Sequence, residues 1–146
     1  MVKIKVGDKF PTFKAYDSTG RETTLDGLKG KKVVVYFYPK DNTPGCTIEA
    51  NEFNKTLSSF RQKGAEIIGV SRDARKSHDG FCGKYDLKFP LVTDDGGKIG
   101  KELGILKITG MHARTTFVLD ENGNVERIFE NVKAEGHATE ILKLLK

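Results

Sequence analysis

The sequence has no tryptophan, two cysteines and four prolines in 146 residues. Two cysteines cannot build the disulfide framework of a small secreted scaffold. The longest apolar run, Val33 to Tyr38, is six residues and far too short to cross a bilayer. The opening residues, Met1 to Asp8, hold no apolar stretch of signal-peptide length, so a cytoplasmic location is expected. No excess of one charge dominates either. Against 25 Lys and Arg stand 20 Asp and Glu, a net charge of +5. The densest basic clusters, Lys29-Gly30-Lys31-Lys32 and Arg72-Asp73-Ala74-Arg75-Lys76, are short and interleaved with other residues. They describe a solvated basic surface, and no nucleic-acid or membrane partner is expected. Gly27-Leu28-Lys29-Gly30-Lys31-Lys32 has neither the spacing nor the Ser/Thr of a phosphate loop. His78 and Cys82 are spaced i, i+4, but a zinc site wants a third protein ligand and His112 and His137 are isolated. No metal or other cofactor is expected.

What is present is ordinary globular composition, 37% apolar and 31% charged, which excludes disordered and collagen-like classes. Length, and the lack of any repeat or linker, predict one domain over residues 1–146. Val33-Val34-Val35-Tyr36-Phe37-Tyr38 is continuously apolar, the mark of a strand covered on both faces. Glu66 to Ser71 and Leu91-Val92 read as further strands. Thr115–Leu119 and Val125–Phe129 flank Asp120-Glu121-Asn122-Gly123-Asn124, whose turn residues predict a β-hairpin. Cys46, Ala50, Phe53, Leu57 and Phe60 fall on one helical face. His78, Phe81, Cys82 and Tyr85 do the same, as do Ala138, Ile141, Leu142 and Leu145, and Asp95 to Gly100 reads as a turn feeding a short helix. The order predicts an α/β fold: a central mixed sheet flanked by helices, its early strands parallel and the hairpin antiparallel. Before it lies an N-terminal extension of turns and a small hairpin around Ser18-Thr19-Gly20-Arg21.

The chemistry concentrates between Tyr38 and Glu49. This stretch starts where the buried strand ends, the place where open α/β sheets bind ligands. Pro44 suits the first helical position. Cys46 then sits at a helix N-terminus, where free N–H groups and the dipole favour an anion, so its thiol is expected to ionise readily. The helical stripe puts the same sulfur toward the core, only partly exposed. A cysteine can also be an inert core residue; placement after a strand end, beside Thr43 in a Pro-Gly turn, favours the nucleophile.

Pro39-x-x-x-Thr43-x-x-Cys46 resembles the active-site signature of the peroxiredoxins. The run from Phe37 to Thr47 resembles the bacterioferritin-comigratory-protein (PrxQ) branch in particular. Gly7 to Phe13, Gly69-Val70-Ser71-Arg72-Asp73, Phe89-Pro90-Leu91 and Arg114 to Asp120 extend the likeness along most of the chain. The resemblance implies a thioredoxin-like fold and a thiol-dependent peroxidase acting on hydrogen peroxide and organic hydroperoxides. It makes Cys46 the peroxidatic cysteine, which becomes a sulfenic acid. Thr43 would hydrogen-bond the thiolate and the peroxide, Pro39 would shield the pocket, and Arg114 would hold the thiolate and substrate oxygens. Glu49 either orients that arginine or is an ordinary acid at a helix start. Many members of the branch place the resolving cysteine five positions into this motif, at the site held here by Ala50, which has no thiol. Cys82 is the remaining candidate, as an intramolecular disulfide partner recycled by thioredoxin or a similar thiol reductant; otherwise it packs in the core of a one-cysteine enzyme. Gly80 and Gly83 weaken its helix by roughly 1 kcal/mol each relative to Ala, which eases the local opening a disulfide would require. The resemblance implies a monomer or weak dimer. A thiol–disulfide oxidoreductase on the same fold is the rival, disfavoured by the lack of Cys-x-x-Cys.

Overall fold

The computed structural model describes residues 2–16, 21–24 and 28–145. Its elements run β1 (Lys14–Tyr16), β2 (Glu22–Thr24), β3 (Lys32–Phe37), α1 (Pro44–Gln62), β4 (Ala65–Ser71), α2 (Arg75–Tyr85), β5 (Leu91–Thr93), α3 (Lys98–Leu103), β6 (Thr115–Leu119), β7 (Val125–Phe129) and α4 (His137–Leu144). A 3-10 turn at Asp95–Gly97 leads into α3, as the glycine-rich sequence there predicts.

Five strands form one sheet in the order β5-β4-β3-β6-β7. β3 pairs in parallel with β4, and β4 with β5, across the α1 and α2 crossovers. β6 and β7 join antiparallel through the predicted hairpin, and β6 also runs antiparallel to β3. Asp120 makes the turn: its side chain accepts the backbone N–H groups of Asn122 and Asn124. β1 and β2 form a separate antiparallel pair. The turn expected between them, at residues 17–20, lies outside the described residues.

The period of a strand explains the two cores. Side chains alternate across β3, so Val34, Tyr36 and Tyr38 enter one apolar cluster and Val33, Val35 and Phe37 the other. The first cluster packs against the stripes of α1 and α4 and Phe81 of α2. The second is closed by Phe10 of the N-terminal extension, Leu103 of α3 and Ile105. A strand buried on both faces at the sheet's centre delivers its C-terminal end, and everything that follows it, to a fixed place. Among the described residues, no helix is long and apolar enough to cross a membrane.

Candidate active site

The chain leaves β3 through Tyr38 and Pro39, turns at Asn42 (φ 62°, the left-handed region that Asn tolerates better than most residues) and enters α1. Thr43 is the N-cap residue and Pro44 opens the helix. Cys46 therefore lies in the first turn, where backbone N–H groups have no intrahelical acceptor. Its side chain is 1% exposed, more fully covered than the stripe alone predicted.

The cover is ionic. Arg114, the residue before β6, donates from Nη1 to Glu49 Oε1 at 2.7 Å and from Nη2 to Cys46 Sγ at 3.4 Å. The backbone beside it is held too: Val132 N–H donates to the Arg114 carbonyl, and Ala113 N–H to that of Ile105. Gly45 leaves room for the guanidinium, since a Cβ there would stand 3.0 Å from Nη2. Glu49 lies one turn beyond Cys46 with its side chain fully buried. Burial pushes its carboxyl up to about 7, although the Arg114 charge pulls the other way. Oε2 has no hydrogen-bond partner. Burial also disfavours charge on Arg114, but Glu49 and Cys46 more than offset it and hold the guanidinium above its ordinary pKa. Two residues one helical turn apart thus converge with a third some 65 positions away: a sulfur, a buried carboxyl, and a fork of donors that the carboxyl aims.

Thr43 is half-buried, and its hydroxyl donates to the Lys40 carbonyl at 2.8 Å. The proton is therefore directed at the loop backbone, while the oxygen lone pairs stay available as acceptors. Pro39 is half-buried at the end of β3. Cys82, on α2, is partly buried against the same apolar cluster that contains Cys46, and neither cysteine is in a disulfide. Tyr36 is wholly buried in that cluster and stacks on Phe53 with ring centroids 4.6 Å apart. Burial, then the charges of Glu49, Cys46, Asp41 and Cys82, hold its hydroxyl well above the ordinary phenol pKa.

Sequence reasoning gave no role to Asp41, which is 4% exposed. Its carboxylate accepts Tyr38 Oη–H at 2.6 Å and Ser77 Oγ–H at 2.8 Å, and His78 Nδ1 stands 2.8 Å from Oδ2. Burial works against its charge, but the hydrogen bonds from His78, Tyr38 and Ser77 win and hold the carboxyl below its ordinary range. An aspartate directly after a lysine in a turn motif carries no sign of such burial. The one available signal was His78 on the core stripe of α2, a buried imidazole in need of a polar partner.

Comparison with known proteins places this arrangement. Residues 6–128 match the AhpC/TSA family. The chain is 43% identical over 147 residues to the chloroplastic peroxiredoxin Q of Sedum lineare, covering 99% of this chain and 79% of that one. It superposes on a crystal structure of a Xylella fastidiosa PrxQ cysteine-to-serine mutant with a TM-score of 0.93 at 35% identity, covering 99% of this chain and 97% of that one. A Xanthomonas campestris bacterioferritin comigratory protein, solved as trapped intermediate and ligand complexes bearing on its alkyl peroxide reduction, matches with a TM-score of 0.88 at 37% identity, over 99% of this chain and 97% of that one. The mixed sheet with its flanking helices is accordingly the thioredoxin-like fold of these enzymes. The chain belongs to the AhpC/TSA family, in its peroxiredoxin Q (bacterioferritin comigratory protein) branch, and is a thiol-dependent peroxidase.

Proposed function

We propose that Cys46 is the peroxidatic nucleophile and that Arg114, Thr43 and Pro39 form its pocket. The observation that carries this reading is the bifurcated reach of Arg114, one nitrogen on Cys46 Sγ and the other on buried Glu49. The Cys46 thiolate attacks the nearer peroxide oxygen; the O–O bond breaks, the sulfur becomes a sulfenic acid, and the leaving oxygen departs as water or an alcohol after taking a proton. Negative charge grows on that leaving oxygen. A guanidinium already aimed by Glu49 stabilises it without reorganising, and this is where such donors contribute most. Thr43, its proton committed to Lys40, accepts the peroxide O–H and orients the substrate. Pro39 walls the pocket from water. Glu49 is a positioning residue for the guanidinium.

Cys82 is the resolving thiol. It attacks the Cys46 sulfenic acid, an S–S bond forms and one water leaves. Two thiols of an external reductant such as thioredoxin then restore both cysteines and carry away the disulfide. The cysteine Cα atoms must come within about 7 Å for that bond, and local opening of α2 is the motion we propose for it. Gly80 and Gly83 support this. A Cβ at either position meets nothing within 4 Å, so packing does not require glycine there, and its effect is to weaken the helix. Hydrogen peroxide and organic hydroperoxides are the substrates, the latter in keeping with the Xanthomonas campestris relative. Every reacting group comes from one chain, so a monomer suffices, and the thiol reductant it needs fits a cytoplasmic location.

Intact mass before and after one equivalent of hydrogen peroxide tests the scheme. Loss of two hydrogens, with one peptide joining Cys46 to Cys82, is the expected result. Gain of oxygen on Cys46 alone would make this a one-cysteine peroxidase, with Cys82 a packing residue. Fast peroxide reduction by Cys46→Ser would overturn the assignment of the nucleophile.

A further inference from the structure

α2 is a poor helix by its own sequence. Its N-cap residue, Ala74, makes no side-chain capping bond, and its first turn has no acidic residue to suit the helix dipole. Arg75 and Lys76 bring positive charge to that end instead. Gly80 and Gly83 interrupt its middle with no packing reason. Something outside the helix must keep it folded: Phe81 packs into the first apolar cluster, and polar bonds come from the reaction side of the molecule.

At its first turn, Ser77 and His78 both reach Asp41, the residue five before Cys46. Asp41 is itself locked in place, because its backbone N–H donates to Asp73 Oδ2 at 2.8 Å and Tyr38 donates to its Oδ1. Ser71 at the end of β4 holds Asp73 in turn, with Oγ 2.6 Å from the same Oδ2. At the far end, Asn54 of α1 donates to the Asp86 carbonyl at 3.0 Å and accepts the Lys88 N–H at 2.9 Å. The helix that carries Cys82 is thus fastened at both ends to the segment that carries Cys46, strongly at the buried Asp41 and weakly at the exposed Asn54.

We propose that Asp41 is a positioning residue that ties α2 to the reaction loop and sets the rate at which Cys82 is released to meet oxidised Cys46. The inference rests on the reading of Cys82 as the resolving thiol. A tight tie keeps the sulfenic acid waiting, and a second peroxide can then carry it to the sulfinic acid. A loose tie favours the disulfide. The carboxylate therefore governs the partition between turnover and overoxidation without touching substrate.

Ser77→Ala tests this, because it removes one donor to Asp41 at a site outside the peroxide pocket. Amide hydrogen exchange of the reduced protein should quicken roughly tenfold across residues 78–88, the scale of a hydrogen bond to a buried carboxylate. In the same variant, the sulfinic fraction of Cys46 after a fixed excess of hydrogen peroxide should fall several-fold. The rate of sulfenic acid formation should not change, and Ser77→Thr, which keeps the hydroxyl, should restore the wild-type partition. Asp41→Asn, which keeps the shape and loses the charge, should move exchange and partition further in the same direction. If Ser77→Ala leaves exchange as it was, or quickens it with no change in partition, Asp41 has no such role. A wild-type protein that forms no Cys46–Cys82 disulfide would instead sink the resolving reading, and that control is read first.

Discussion

Two buried aspartate–histidine pairs share one geometry but hold different parts of the chain. In Asp41–His78 and in Asp94–His112 the ring nitrogen lies 2.8 Å from the carboxylate, and all four side chains are almost wholly buried. Their other partners differ. Asp94 accepts the backbone N–H groups of Ile99 and Gly100, so it pins the start of α3 directly. His112 meets Phe37 edge-on at 5.2 Å and presses on Gly100, where a Cβ would lie 2.6 Å from the ring. Through its two side chains that pair ties the start of α3 to His112, two residues before Arg114. Asp41 instead takes its donors from three side chains, two of them on α2, a helix with room to spare around its glycines. If Asp41 sets the release of Cys82 as proposed, the same chemistry builds a fixed mount beside Arg114 in one pair and a releasable fastening for the cysteine-bearing helix in the other.

The largest effect belongs to the fixed side. Arg114→Met should lower kcat/KM for hydrogen peroxide by about 10²–10³-fold, the usual cost of losing a preorganised donor at a developing charge. The fold should survive, because Glu49 without its arginine keeps its proton in the apolar site rather than stranding a charge. Exchange across α2 should not move. A quickening there would mean that the two halves are not separate.

Glu49 gives the next effect, in stability. Burial pushes its carboxyl from the ordinary 4.5 up to about 7 despite Arg114. The folded state therefore holds this proton more tightly than the unfolded chain does. The stabilisation is complete below about pH 4.5 and is lost as the pH climbs through about 7, amounting to about 3 kcal/mol. Glu49→Gln cannot titrate. Chemical unfolding at pH 4 and pH 8 should show the wild type losing that amount relative to the variant, and parallel curves would mean that burial leaves the Glu49 carboxyl at its unfolded-state pKa. The mount for the arginine is thus held at a standing expense in stability at neutral pH.

Gly100→Ala attacks the mount from behind. The new Cβ would run into His112 and, at 3.1 Å, Leu106, and α3 has no slack to yield because Asp94 holds its first residues. A loss of about 2 kcal/mol is expected, with a fall in peroxidase activity as the Arg114 lead-in shifts. Unchanged stability would show that this side can breathe after all.

Much of this division was legible in the residues. The six-residue apolar run gave the central strand because burial on both faces leaves no polar position to encode. The stripe from Cys46 to Phe60 gave α1, and Asn-Gly between two alternating segments gave the hairpin. Cys46 came from a motif, and Arg114 only from the wider family resemblance. What stayed hidden was which polar group meets which. Periodicity reports the buried face of a helix but not a partner 37 residues away, as His78 is from Asp41. The resemblance, which implied that the Thr43 hydroxyl bonds the thiolate and the peroxide, likewise gave no sign that it donates to the Lys40 carbonyl. The first turn of α2 escaped too: the stripe begins at His78, whereas the helix starts at Arg75 with neither a cap nor an acidic residue to announce it.

The smallest effect is the sharpest test of the releasable side, because it changes the helix and nothing it touches. Gly80 and Gly83 are exposed, have helical backbone and offer open space for a methyl group. Alanine at either should therefore stabilise α2 by about 1 kcal/mol, with no clash to subtract. One kcal/mol is about a fivefold shift in an opening equilibrium, so disulfide formation should slow by about that factor for each substitution and more for both together. Sulfenic acid should still form at the wild-type rate, since neither residue faces the pocket. At high peroxide the doubly substituted enzyme should accumulate sulfinic acid on Cys46 and lose activity within fewer turnovers. Proteins ordinarily gain from such substitutions, so a variant that is more stable and yet more easily inactivated would show that the weakness of α2 is functional. A disulfide rate indifferent to both alanines would mean that Cys82 reaches Cys46 by some motion other than the unwinding of its own helix.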